Sequence, residues 1–576
     1  MNDEKLSSLL NWAKENGAII DDRIGFKYNT NSGFSCFAKN DIKSEEKPLI
    51  EIPKNLLITH SLAESHFNTK ITEIKLTSKN SNALTQLYLS KLKFSNSNDE
   101  EVLHLKPYLD ILPSDLEQPY FWGSKLLQLV HQTDLYLILK EIIVKIYNEW
   151  IELKEQLNVE QREDEDKNLK GSSADQLLEY LRTYNSNEIK WESFYAYTWA
   201  TCIFKSRAFP NLVIDDKNVI DINLAFLYPV VDLLNHKNDT RVKWSYNENK
   251  VQFVSEEKIN VDMELFNNYG NKSNEELLLN YGFIEENNVH DNTRLTLRLE
   301  TAALVGAQNS GVKFSKEELV KSDCVQFLID NNGEVPKSLI NLFGYLCKLK
   351  SEEFTNIRSV LEGIDQLNTI LTQKIELFKS ISKARSEGFG SSEVKTVQSI
   401  KKFANSQKMI YNRAFDNLLK LQKTILKSAK ETLSFRSAYK SDQLFSNSLL
   451  LTWGITNYED LKKNDNFREA VLMWMVRISN QNNYKNKFKF NPPKFIFDCF
   501  KEKSKSIVIE KEDVAEFLPF HKKLFPALSQ KIPEVYGQGD WGIKQFIIAS
   551  SVYDMLVWTK DITQEPLFIK NEKYLL

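Results

Sequence analysis

The sequence is poor in the residues that make tight turns. It has 18 glycines and 14 prolines among 576 residues, about half of average usage. Folds built of strands and short turns need more of both, so most of the chain is expected to be helical. Cysteine is scarce: five, at 36, 202, 324, 347 and 499, with no C-x-x-C spacing. That excludes a zinc knuckle or ribbon and fits reduced thiols in a cytosolic or nuclear protein. Charge of one sign is missing as well, with 75 basic residues against 78 acidic ones. A polyphosphate gripped by bulk charge is disfavoured, and no direct nucleic-acid binding is expected. No long hydrophobic run exists. The longest apolar stretch, Ile222 to Leu234, is interrupted by Asn223, Pro229 and Asp232 and is shorter than the ~18 residues of a membrane span. The first residues, MNDEKLSSLLNWAKENG, hold no apolar core of signal-peptide length. A soluble intracellular monomer is expected, cytoplasmic with the nucleus also open, and without a membrane partner.

Chemical signatures are missing too. There is no GxGxxG after a strand, no Walker loop, no H-E-x-x-H and no G-x-S-x-G. A Rossmann-type enzyme, an ATPase, a zincin and an α/β-hydrolase all lack their usual handles.

What is present alternates between strand-like and helical sequence. Leu6, Leu9, Leu10 and Ala13 share one helical face, and Gly17 ends that helix. From Gly25 to Thr59 short alternations (Phe34, Cys36, Ala38, then Leu49, Ile50, Ile52) predict strands and turns. Leu135, Leu139, Ile142, Ile143, Ile146, Trp150 and Leu153 then form a helical stripe. Glu160 to Ser173 is charged and apolar-poor, and reads as a solvated linker. Strand-like sequence returns at Leu224–Val231, Val242–Trp244, Val251–Val254 and Thr293–Leu299. After about residue 310 two further stripes, from Leu361 to Phe378 and from Ala414 to Leu433, predict helices separated by a loop at Glu387–Ser392. Tyr484–Lys494 mixes lysines with aromatics and reads as an edge loop. Two strand-rich blocks separated by a long helical insert suggest one domain interrupted by another.

Three stretches can carry chemistry. Asp232-Leu233-Leu234-Asn235-His236 follows an apolar strand, a common way to present polar groups at a cleft rim. Asn267 to Phe283 holds two Tyr-Gly pairs, Tyr269-Gly270 and Tyr281-Gly282, around a short helix capped by Ser273 or Asn274. Glycine after each tyrosine permits positive φ or a close backbone approach. Ser206-Arg207-Ala208-Phe209 closes an aromatic helix.

In order, these stretches resemble the SET-domain protein lysine methyltransferases, in the branch typified by the Rubisco large-subunit methyltransferase. The match rests on Ser32-Gly33-Phe34-Ser35-Cys36-Phe37-Ala38, on Asp232 to His236, and on Tyr269 to Phe283. Together with Lys106 to Pro113 and Ser206 to Pro210, they also look like the fungal ribosomal lysine methyltransferases, in particular the type acting on large-subunit protein L-twenty-three.

The resemblance implies an α+β fold: a SET domain of short sheets over 1–60 and 196–310, a helical insert over 61–195, and an all-helical substrate-binding domain over 311–576. It implies S-adenosylmethionine as cofactor, no metal, and a protein substrate, a large-subunit ribosomal protein. Ser32, Phe34, Ser206, Arg207, Asn235, His236, Tyr281 and Phe283 would hold the cofactor. Arg207, Asp232, Tyr269 and Tyr281 would line the lysine channel, Asp232 through its backbone carbonyl, with Tyr269 as the catalytic tyrosine. Ser32 stands where the plant enzyme type has Glu, so one cofactor contact is in doubt. A non-ribosomal target such as cytochrome c, a histone or an actin histidine stays open, as does an inactive SET scaffold.

Overall fold

The computed structural model describes residues 2–576 apart from 31, 45–46, 96–98, 160–167, 186–187, 216–219, 485–487, 489 and 561–562. Most of the charged linker expected at 160–173, and part of the basic stretch at 484–494, therefore lie outside the described residues. The chain forms two compact units: residues 1–293 with 377–409, and residues 294–376 with 410–576.

The first unit opens with helix Asn2–Glu15, which buries Leu6, Leu9, Trp12 and Ala13. Gly17, at φ +90, ends it as expected. The strands then come as short antiparallel pieces. Strand β1 (Ile19–Ile20), β4 (Ile50–Pro53), β8 (Lys250–Ser255) and β7 (Val242–Asn247) lie in that order in one sheet. Thus the first strand-rich block pairs directly with the second across the insert, Ile50 opposite Phe253 and Ile52 opposite Val251. Glu248 and Asn249, both at positive φ, make the two-residue turn of the β7–β8 hairpin. Strands β2 (Ile24–Asn29), β3 (Gly33–Ala38) and β9 (Glu264–Leu265) form a second sheet. Strands β5 (Ala208–Pro210) and β6 (Ala225–Leu227) make a third, with Phe209 opposite Phe226.

The insert is helical. Its long helix Asp134–Leu157 buries Leu135, Leu139, Ile143, Ile146, Trp150 and Leu153, the stripe read from the sequence. Helix Phe194–Arg207 is buried almost throughout its length until Ser206 and Arg207 reach the site.

The second unit is helix-rich, and its core gathers Phe435, Trp474, Phe546 and their neighbours. The expected all-helical character of residues 311–576 needs a correction. Strands β11 (Leu319–Lys321) and β12 (Cys324–Asp330) join β10 (Asn292–Arg298) in one small sheet. Strands β13 (Thr432–Ser434), β14 (Val557–Lys560) and β15 (Glu565–Ile569) make another. The short apolar run Pro566-Leu567-Phe568-Ile569, with Pro566 and Phe568 buried two apart, was the available signal. No described helix is long and apolar enough to cross a membrane.

Candidate active site

The site begins where a strand stops early. The expected strand Leu224–Val231 ends at Leu227, and Val231–Leu233 forms a tight helical turn. Val230 stands at φ +71 and ψ −48, an outlier for a β-branched residue. Such strain costs on the order of 1–3 kcal/mol and persists only where the surroundings enforce it. Here Val230 is buried, and the Asp232 N–H donates to the Tyr228 carbonyl at 3.1 Å.

Beyond that turn the chain meets a distant segment. The Asn267 N–H donates to the Asn235 carbonyl at 2.8 Å, and the Lys237 N–H donates to the Asn267 carbonyl at 3.2 Å. The result is a short parallel bridge between His236 and Asn267. It brings the Asp232–His236 stretch against the Asn267–Phe283 stretch. Asn235 Nδ2 donates to Glu264 Oε1 at 2.8 Å.

Three rings then stack. His236 lies on Tyr269 at 4.9 Å and 18°, and Tyr269 on Tyr281 at 4.9 Å and 17°. Phe283 meets Tyr281 edge-on at 6.0 Å. Helix Asn274–Tyr281 delivers the outer ring. Ser273 caps it, with the reciprocal Glu276 contact completing a capping box. Gly282, at φ +81, ends it one residue after Tyr281.

The hydroxyls of the two tyrosines differ. Tyr269 donates to the Leu234 carbonyl at 2.7 Å, which leaves its oxygen only accepting capacity. The Tyr281 hydroxyl makes no hydrogen bond among the described residues. Burial raises both phenols, Tyr281 to about 12, so both stay protonated at neutral pH.

Both tyrosines line a cavity of about 640 Å³ together with Ser206, Arg207 and Asp232. Arg207 Nη1 donates to the Asp232 carbonyl at 2.9 Å and lies 3.4 Å from its Oδ2. The carbonyl expected to face the substrate amine is therefore already one bond engaged. Asp232 Oδ2 also accepts from Tyr108 at 2.9 Å, whereas its buried Oδ1 has no hydrogen-bond partner among the described residues. Burial raises the Asp232 pKa against the pull of Arg207.

Sequence reasoning placed Ser206, Arg207, Asp232, Asn235, His236, Tyr269, Tyr281 and Phe283 in one site, and the structure brings these together. Ser32 and Phe34 make no hydrogen bond or ring contact with them among the described residues, although the strand that carries Phe34 packs against the Val231–Leu233 turn. Ser32 is exposed, and Phe34 packs edge-on against Tyr28 at 5.1 Å. Sequence reasoning missed the far wall, formed by Phe209 and Trp244, whose rings meet edge-on at 5.2 Å. It also missed Arg241, Glu256 and Lys272. Phe209 stood inside a quoted motif; Trp244 had only its place on an edge strand to mark it. Among the described residues no cluster of His, Cys, Asp or Glu is placed to hold a metal ion.

His236 is neutral by geometry. Its Nδ1 accepts from the Tyr269 N–H at 3.0 Å, so the proton sits on Nε2. Burial lowers its pKa, outweighing Glu285 and the bond to Asn238. The folded pKa lies below the unfolded one, near ~6.5. The corresponding stability is present above that pH and is lost as pH falls toward the folded value, at up to ~1.4 kcal/mol per pH unit. His60 and His66 shift the same way, so a His236→Gln variant isolates the effect. Urea midpoints measured from pH 7.5 to 5 are expected to fall less steeply in the variant; equal slopes would remove His236 from the account.

The SET domain family matches residues 33–270, and the family described as the EFM1 middle domain matches 292–429. The chain is 40% identical to protein-lysine N-methyltransferase EFM1 of Saccharomyces cerevisiae, over 99% of this chain and 98% of that protein. It is 29% identical to ribosomal lysine N-methyltransferase 1 of the same yeast, over 85% and 89%. The solved SET domain of LSMT bound to MeLysine and AdoHcy shares the fold, with a TM-score of 0.52 at 17% identity, covering 73% of this chain and 93% of that one.

Proposed function

From a chain that belongs to the SET-domain protein-lysine N-methyltransferases, we infer an enzyme that moves a methyl group from S-adenosylmethionine to the side-chain amine of a protein lysine. The observation that carries this reading is the convergence of segments distant in sequence: Tyr269 and Tyr281 line one cavity, His236 stacks behind Tyr269, and the Asn235 carbonyl accepts from the Asn267 N–H beside them. The donor set suits the cofactor: an uncommitted phenol, an asparagine–histidine pair and aromatic walls, with Asn235, His236 and Phe283 as its holders. Bound there, S-adenosylmethionine supplies a methyl group on a positively charged sulfur.

The residues then have three tasks. The first is to receive a neutral amine. A free lysine has a pKa of ~10.4, and burial beside the rings of Phe209, Trp244 and the two tyrosines, in the aromatic part of the cavity, disfavours its charged form. Asp232 is held by Arg207 and Tyr108 with its side chain shielded from solvent, so it orients Arg207, and the proton leaves to water. The second is alignment. Holding amine and methyl in line is worth up to roughly 7–11 kcal/mol of the barrier. The third is fixed dipoles. The Tyr269 oxygen, anchored on the Leu234 carbonyl, and the open Tyr281 hydroxyl face the transfer point without reorganising.

The target we propose is a large-subunit ribosomal protein. The motifs around Tyr108 and Arg207 support it, as does the relative named ribosomal lysine N-methyltransferase 1. The relative at 40% identity carries no target in its name, so the assay must sample ribosomal and other proteins alike. We propose a cytoplasmic, monomeric enzyme, with Ser32 and Phe34 contributing through backbone groups.

Cofactor binding is tested by calorimetric titration of Asn235→Ala with S-adenosylmethionine. Affinity is expected to fall at least about tenfold, since a buried hydrogen bond to a charged group is worth ~1.5–3 kcal/mol. Unaltered affinity removes Asn235 from the cofactor site.

A further inference from the structure

Behind the ring stack runs a chain of amides, half-buried at Asn238 and buried beyond it, that the methyl-transfer chemistry does not use. His236 Nε2 donates to Asn238 Oδ1 at 3.1 Å. Asn238 Nδ2 donates to Asn288 Oδ1 at 2.9 Å. Asn288 Nδ2 faces Asn274 Oδ1 at 3.4 Å. Asn274 Nδ2 donates to Asp291 Oδ2 at 3.0 Å, where Ser406 also donates. Asn274, Asn288 and Asp291 are almost fully buried.

Every donor in this chain points the same way, toward the carboxylate of Asp291. The direction is fixed by backbone groups, which cannot flip. Asn288 Oδ1 accepts from the His290 N–H at 2.9 Å, and its Nδ2 donates to the Lys272 carbonyl at 2.8 Å. Asn274 Oδ1 accepts from the Glu285 N–H at 3.1 Å. Asn288 can therefore offer only an oxygen to Asn238. Asn238 must answer with its amide nitrogen, and turns its own oxygen to His236. That oxygen calls for a proton on Nε2, and Nδ1 is left bare to accept the Tyr269 N–H. Other charged groups near the imidazole do not oppose this. Glu285 Oε2 lies 3.7 Å from Nε2 and also favours a proton there, while His290 is engaged at 3.5 Å with Asp239.

We propose that Asn238, Asn288, Asn274 and Asp291 are positioning residues for methyl transfer: a one-way hydrogen-bond relay that fixes the tautomer and orientation of His236, and through its Nδ1 the backbone of Tyr269 at the cavity wall. Ser406, in the segment 377–409 that belongs to the same compact unit, ties the far end. The kinetic consequence rests on the reaction proposed above; the state of His236 does not.

Both are read on the full chain labelled with ¹⁵N-histidine. The chain holds seven histidines, and a His236→Gln sample assigns the signal. In the wild type at pH 7, His236 is expected to show a protected downfield proton on Nε2 and a bare Nδ1. In Asn288→Ala, which does not touch the imidazole, that proton is expected to exchange with solvent and broaden. The kcat/KM for S-adenosylmethionine is expected to fall at least fivefold. A proton on Nδ1 in the wild type overturns the relay without needing any variant. Either change in Asn288→Ala without the other overturns the positioning role, as does the absence of both. Should the chain transfer no methyl at all, the wild-type spectrum still decides the relay, and the proposed function falls separately.

Discussion

Phenylalanine at Tyr281 is expected to lower turnover at least tenfold, and phenylalanine at Tyr269 to do the same, with S-adenosylmethionine affinity held within about threefold in both. The size follows from the cost of removing one preorganised dipole from a transition state, which is ~10²–10³ where the site excludes water. Each substitution removes one oxygen and keeps the ring, so the stack from His236 through Tyr269 to Tyr281 is preserved. The two losses differ in kind. Tyr269→Phe strands the Leu234 carbonyl, whereas Tyr281→Phe strands nothing among the described residues. A loss of stability is therefore expected only for Tyr269→Phe, while the loss of turnover is shared. Single-turnover rates with saturating cofactor, beside urea midpoints, separate the two. Unchanged turnover in Tyr269→Phe removes it from the transfer point and leaves Tyr281 alone in that role.

The second large effect is expected from Gly282→Ala. Gly282 stands at φ +81, where an L side chain costs ~1–2 kcal/mol. A methyl group built there would lie 2.7 Å from Glu117 Cβ and 2.9 Å from the Glu117 carbonyl carbon, and backbone cannot swing aside. Overpacking of that kind costs a further ~1–3 kcal/mol. The sum is about 2–5 kcal/mol, together with a displaced Tyr281. Gly388→Ala is the control, since that glycine has φ +88 but nothing within 4 Å of its would-be Cβ. The unfolding midpoint and turnover are expected to drop sharply in Gly282→Ala and only slightly, in midpoint alone, in Gly388→Ala. Equal behaviour would mean that close packing on Glu117 does not hold the tyrosine.

These two sites mark what the sequence could and could not convey. The cap at Ser273, the helix behind it and the glycine stop at Gly282 were legible, because capping and positive φ are local chemistry. So were the buried stripes of the long helices, which follow from a period of 3.6. The early end of the strand before Val230 was not legible. Valine favours extended backbone, whereas Val230 stands at φ +71 within a turn closed by long-range burial and by the bonds from the Asp232 N–H to the Tyr228 carbonyl and from the Leu233 N–H to the Val230 carbonyl. The cavity's far wall at Trp244 was hidden for a related reason: an edge strand acquires neighbours only through long-range pairing. The amide relay was invisible altogether. Asn238, Asn274 and Asn288 look like ordinary loop and cap residues until their partners are known. The resemblance to SET enzymes supplied roles that spacing alone did not, and the structure adds that the Tyr269 hydroxyl is bonded to the Leu234 carbonyl.

The account's central claim is tested most directly by incubating the purified chain with methyl-labelled S-adenosylmethionine and fractionated ribosomal and other cellular proteins, then hydrolysing the labelled product to amino acids. The account predicts label recovered as methylated lysine, with large-subunit ribosomal protein carrying it, and an initial rate of labelling at least about tenfold lower when Tyr281→Phe replaces the wild type at matched concentration. Label recovered as methylhistidine, or no label in any fraction from a chain that binds the cofactor, would contradict it.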